Sequence, residues 1–187
     1  MLNQERVKRK QLIREAEGYL DLMSVFDDRW QLDRQHIETL ATRAIECLDA
    51  VENPHGFLPH ILFLKGQAHR AAGRFEEAGR LLEESKEMEP ENLHTLLALA
   101  WCYKRLNRVN DAIRVMREAI QVEEESAIAH YNLACYLAIQ KQTAEACQHL
   151  SNALEIDPSY RNLVADETDF DSIRNTSEFQ AALSINV

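Results

Sequence analysis

Residues 127–158 read AIAHYNLACYLAIQKQTAEACQHLSNALEIDP, and the small residues in this stretch decide the fold. Ala134, Ala146 and Ala153 each sit inside an apolar run with helical spacing. Two such runs, over 127–140 and 143–156, are separated by a short polar turn and closed by Asp157-Pro158. Apolar residues at this spacing predict two amphipathic helices forming one hairpin. A hairpin of this size leaves one apolar face uncovered, so it needs neighbours of the same kind.

The neighbours are present upstream. Ala134 lies 34 residues after Ala100, which lies 34 after Gly66. Ala78, Ala112 and Ala146 form a second row at that period, and Ser85, Ala119 and Ala153 a third. Large residues follow it too: Leu82, Met116 and Leu150 align, as do Leu62 and Leu96, with His130 third in that row. Pro90 and Pro158 bracket the pattern. The spacing predicts helices over 59–72, 74–88, 93–106, 109–122, 127–140 and 143–156. Pro59 suits a first helical turn, and Gly73 suits the residue past a helix end. Two helices approach closely only where neither carries bulk, which accounts for the Gly and Ala rows.

The period, these rows and the segment His130-Tyr131-Asn132-Leu133-Ala134 resemble the tetratricopeptide repeat. The resemblance covers residues 59–160 as three units, 59–92, 93–126 and 127–160. It implies an all-α fold, a right-handed superhelical stack of antiparallel helix pairs. It also implies that the first helix of each unit lines a concave, peptide-binding wall. The wall positions are then His60, Phe63, Gln67 and Arg70 in the first unit. In the second they are His94, Leu97, Trp101, Lys104 and Arg105, and in the third Ile128, Tyr131, Cys135 and Ile139.

The flanks extend the pattern. Ala44 and Leu48 lie 34 residues before Ala78 and Leu82, so residues 1–58 are expected to form a degenerate hairpin. Its first helix is expected over residues 4–23, with Val7, Leu12, Ile13, Ala16, Leu20 and Met23 on one stripe and Gly18 as its small residue. Gly18 to Ala44 spans 26 residues where Gly66 to Ala78 spans 12, so the turn holds about 14 extra. These lengthen the helices or project as a loop carrying Phe26 and Trp30. After Pro158, residues 161–187 are expected to cap the last helix with Phe170, Ile173, Phe179 and Leu183. The phrase from Ala165 to Arg174 resembles a tail that follows the last unit of some bacterial members of the family.

Composition narrows the function classes. Only 5 Gly and 4 Pro favour long helices over many short strands. A formal net charge of -10 makes the chain a poor general ligand for nucleic acid or anionic membrane. The opening MLNQERVKRKQLIREAEG is charged throughout and has no signal-peptide core. Cys47, Cys102, Cys135 and Cys147 form no Cys-x-x-Cys pair, which points to reduced thiols in a cytoplasmic protein. No metalloprotease, nucleophile-elbow or phosphate-loop motif occurs, so no enzyme, cofactor or metal is expected. His60 and His94 share a register position and are read as exposed polar residues; His130 is read as packed.

Charge separates the helices. The stretches 59–72, 93–106 and 127–140 contain no Asp or Glu, yet carry Lys65, Arg70, Lys104 and Arg105. The acid falls on the second helices. A Trp beside Lys and Arg is the composition of an interface hot spot. The Lys and Asn clamp by which some family members hold a chaperone's C-terminal carboxylate is missing, because Phe63, Gln67, Ala98, Ile128 and Asn132 stand there. The leading expectation is a module that binds a protein or peptide. The alternatives are a scaffold that self-associates as a homo-oligomer, or is autoinhibited, through the acidic tail (Asp166, Glu167, Asp169, Asp171), and a secretion-type chaperone.

Overall fold

The computed structural model describes residues 2–29, 33–54 and 56–184. All regular structure among them is helical, and the chain divides into two compact units, Met1–Pro90 and Glu91–Val187. No described helix is long and apolar enough to cross a membrane.

The first unit holds α1 (Leu2–Arg29), α2 (Arg34–Asp49), α3 (Leu58–Ala71) and α4 (Phe75–Met88). Asp33 caps α2 by accepting a hydrogen bond from the His36 backbone N–H at 2.9 Å, which also holds the Asp33 carboxyl below its usual range. Ile13, Ala16 and Met23 of α1 pack with Ala41, Ala44 and Leu48 of α2 and with Ile61, Leu64 and Ala68 of α3. Two expectations for α1 are corrected. Gly18 is exposed with no atom near its missing Cβ, so Ala16 is the small residue buried in this helix. Val7 is 50% exposed and lies off the buried stripe. Part of the long insertion lengthens α1 to Arg29; the side chains of Phe26 and Trp30 lie outside the described residues.

The second unit holds α5 (Leu93–Arg105), α6 (Val109–Val122), α7 (Ala127–Ile139) and α8 (Thr143–Ile156). A 3-10 turn at Pro158–Tyr160, α9 (Arg161–Val164), a second 3-10 turn at Thr168–Phe170 and α10 (Ser177–Leu183) follow. The six helices from α3 to α8 begin and end within one residue of the spans the spacing predicts. Their hairpin turns share one backbone form. Gly73, Asn107 and Lys141 all take positive φ, at 76°, 59° and 57°. At each turn the next N–H reaches back five residues: Arg74 to the His69 carbonyl, Arg108 to Tyr103 and Gln142 to Leu137. This Schellman closure satisfies carbonyls that the helix end would otherwise leave bare. Glycine enters the left-handed region freely, asparagine at little cost, and Lys141 only because the hydrogen bonds hold it there.

α7 is apolar on every side, and most of it is buried. A helix of that kind must be covered all round. α6 and α8 take two sides, and the turn at Thr168–Phe170 packs on a third. Phe170, Ile173 and Phe179 of the tail are at most 1% exposed. Arg174 ties the tail together by donating to the carbonyls of Val164 and Glu167 at 3.0 and 2.7 Å, and Ser172 Oγ donates to the Ala138 carbonyl at 2.8 Å. His130 is buried, and its Nε2 lies 3.1 Å from the Glu124 carbonyl oxygen while its Nδ1 lies 2.9 Å from His149 Nδ1.

Two outcomes follow from this packing. A Cβ on Gly66 would sit 2.7 Å from Cγ of the buried Leu82. Gly66→Ala should therefore lower stability by about 1 kcal/mol or more despite its gain in helix propensity. Gly18→Ala, with open space around it, should instead raise stability by up to about 1 kcal/mol; urea unfolding of both variants checks the pair. Burial, then the neighbouring His130, pushes the His149 pKa below its ordinary value. The unfolded chain then binds a proton that the folded chain resists. Stability should fall as pH drops below about 6.5. His149→Gln should remove that part of the slope in unfolding titrations across the window.

Candidate protein-binding surface

The first helices of the hairpins carry no acid in their observed spans. α3, α5 and α7 contain no Asp or Glu, whereas α4 alone holds Glu76, Glu77, Glu83, Glu84 and Glu87. Side chains four apart on a helix share a face. Leu97, Trp101 and Arg105 thus form one stripe along α5, with Leu97 and Trp101 half-buried and Arg105 exposed. The Arg105 guanidinium carbon lies 5.4 Å from the Trp101 ring centroid, a cation–π contact that orients both groups. His94 is exposed one turn before Leu97, and Ile128 at the start of α7 is 41% exposed.

Two of the remaining wall positions of this unit are buried. Tyr131 and Cys135 on α7 are 5% and 2% exposed. The Tyr131 ring packs edge-on against Phe170 at 5.8 Å between centroids and against Tyr160 at 5.0 Å. Ile139 is half-buried. Lys104 Nζ pairs with Asp169 Oδ2 at 2.7 Å, with the two side chains 29% and 11% exposed. The tail therefore brings Lys104, Tyr131 and Cys135 together beneath it, while Leu97 and Trp101 stay half-buried and Arg105 exposed. Burial raises the Tyr131 and Cys135 pKa values, and Glu167 and Asp169 raise them further.

In the first unit the four α3 positions form two local pairs. His60 Nε2 meets Glu17 Oε1 of α1 at 2.9 Å, and its ring stacks on Phe63 at 6.3 Å. Arg70 donates through Nε to Gln67 Oε1 at 2.7 Å. Lys65 pairs with Asp49 of α2. The partners Glu17, Asp49 and Asp169 could not be read from the repeat pattern. They come from outside the regular units, and only the excess of acid in residues 166–171 hinted at one of them.

A tetratricopeptide repeat model matches residues 69–134, and a second matches residues 127–160. The chain is a tetratricopeptide-repeat protein. Tetratricopeptide repeat protein 7B of Homo sapiens is 27% identical over 116 residues, which is 62% of this chain and 14% of that protein. The chain thus spans about a seventh of the length of that curated relative. Among solved structures, MamA from Desulfovibrio magneticus RS-1 superposes with a TM-score of 0.60 at 15% identity, covering 91% of this chain and 98% of the other. A thermophilic TPR protein in Thermus thermophilus gives a TM-score of 0.63 at 17% identity, covering 89% and 87%. At these identities the likeness concerns the fold, all-α helix-pair repeats.

The Lys104–Asp169 pair is more enclosed than a surface ion pair but still touched by water. Removing one partner, by Lys104→Met or Asp169→Asn, should cost about 1–2 kcal/mol, between the surface and buried cases. A double-mutant cycle in urea should show the double variant losing less than the sum of the two.

Proposed function

We propose that this chain is a non-catalytic protein-binding module, and that the partly exposed face of α5 with the start of α7 takes a polypeptide segment carrying apolar anchors and some negative charge. The observation that supports it is the acid-free stripe Leu97–Trp101–Arg105 in a protein of net charge -10. Trp and Arg side by side supply a rigid apolar anchor and a charge-assisted donor, the pair that dominates binding energy at interfaces. His94 and Ile128 extend the surface at its two edges. On α3, His60, Phe63, Gln67 and Arg70 offer a smaller surface of the same chemistry. Four cysteines outside any disulfide suit a reducing compartment.

The tail is better read as a cap than as an autoinhibitory strap. Phe170, Ile173 and Phe179 are each fully buried, and each contributes about 2 kcal/mol by leaving water. A ligand that displaced the tail would have to replace all three contributions besides the Asp169 ion pair.

Selection from a displayed random-peptide library against the purified chain tests the reading. Trp101→Ala should weaken the selected peptides by roughly 30-fold, the effect of about 2 kcal/mol at a hot spot. Arg105→Glu should weaken the acidic ones most, and thermal melting should show both variants folded. Peptides whose affinity neither variant changes would place binding elsewhere and overturn the assignment.

A further inference from the structure

The underside of the tail gathers donors of a different kind. Cys135 Sγ and one carboxylate oxygen from each of Glu167 and Asp169 lie within 4.8 Å of one another. The thiol is buried and the two acids are half-buried. Two phenols stand on the same helix, α7. The hydroxyls of Tyr131 and Tyr136 are buried with no hydrogen-bond partner among the described residues. Tyr131 lies one turn before Cys135 on α7, and its ring packs edge-on against Phe170, the chain neighbour of Asp169. Each buried hydroxyl without a partner costs about 1–3 kcal/mol. The Tyr131 hydroxyl, buried without a partner one helical turn from Cys135 and against the tail, points to a guest that brings polar atoms of its own.

We propose that Cys135, Glu167 and Asp169 bind one borderline-soft divalent cation, zinc fitting best, which staples the tail to α7. The thiolate disfavours magnesium and calcium, which take oxygen ligands. Three protein donors leave a fourth tetrahedral position for water. The donors of a tetrahedral zinc stand about 3.5 Å apart, so a cluster already within 4.8 Å has to close by no more than about 1.3 Å. Each carboxylate is already oriented through one oxygen: Asp169 Oδ2 accepts from Lys104 at 2.7 Å, and Glu167 Oε1 accepts from the Asp169 backbone N–H at 3.2 Å. Such outer bonds steady metal ligands. Charge balances as well. One thiolate and two carboxylates offset one dication and the Lys104 ammonium, and the thiol proton passes to solvent as the metal–sulfur bond forms. The rival account is that Lys104 is the only cation the cluster takes.

The full chain, freed of metal with a chelator, is titrated with zinc by calorimetry and with cadmium by ultraviolet absorbance. The expected result is one equivalent per chain, a thiolate-to-cadmium charge-transfer band and a raised melting temperature with zinc. Cys135→Ser should abolish the band, and Glu167→Gln should weaken zinc binding by about tenfold or more. His149→Gln should leave binding unchanged, which separates this site from the His130–His149 pair. No band and no saturable heat in the unaltered chain would overturn the proposal, and so would zinc binding that survives Cys135→Ser. The first of these results does not depend on how any variant folds.

Discussion

The close approach of paired helices at small residues is the constraint on which the rest of the structure depends. Gly66 lies so near Leu82 that even one added carbon has no room. In the second unit Ala100, Ala112, Ala134 and Ala146 are wholly buried at the corresponding register positions, with Met116 and Leu150 beside them. The spacing between helices in a pair is set by what stands at the crossing, and everything projecting from the pair follows. The surface positions on α5 lie along one stripe only because the opposite stripe, with Leu96, Leu99 and Ala100, is held in the core.

The same packing creates a demand that the regular units do not meet alone. α7 is apolar on all sides, and its last open side needs a cover. The tail supplies aromatic bulk there through Phe170, and with it come two carboxylates. One of these, Asp169, answers a cation on α5. The result is a polar cluster inside an otherwise apolar contact, with a buried thiol beside the acids. A cluster of this kind is costly unless its groups are satisfied, which is why it stands out from the exposed acids elsewhere on the chain. The proposed metal site departs from the sequence-level expectation of none because its three ligands come from α7 and from two tail positions that no motif connects.

Much of the fold was legible beforehand, and the reason is periodic. Small residues recur every 34 positions because each pair solves the same crossing problem, so six helix boundaries could be read to within one residue. Gly73 marked one turn openly, while Asn107 and Lys141 adopt the same backbone without the same signal. The first helix was harder. Val7 and Gly18 fit a helical stripe by spacing alone, but they turn outward, because α1 meets neighbours only through Ile13, Ala16 and Met23 among its buried residues.

By itself, then, the sequence determined the helix pairs, their turns, the absence of acid from α3, α5 and α7, and the kinship with tetratricopeptide repeats. Those are local or periodic properties, written in spacing and composition. Only the tertiary structure decided how far each of the proposed surface residues is buried. Arg105 is exposed and Trp101 half-buried, whereas Tyr131 packs on Phe170, Cys135 is buried beside Glu167 and Asp169, and Lys104 is engaged by Asp169. That outcome depends on where a nonrepeating tail, some thirty residues away from α7 in the chain, finds uncovered apolar surface. No period encodes such a contact; it is fixed by the burial of Phe170, Ile173 and Phe179.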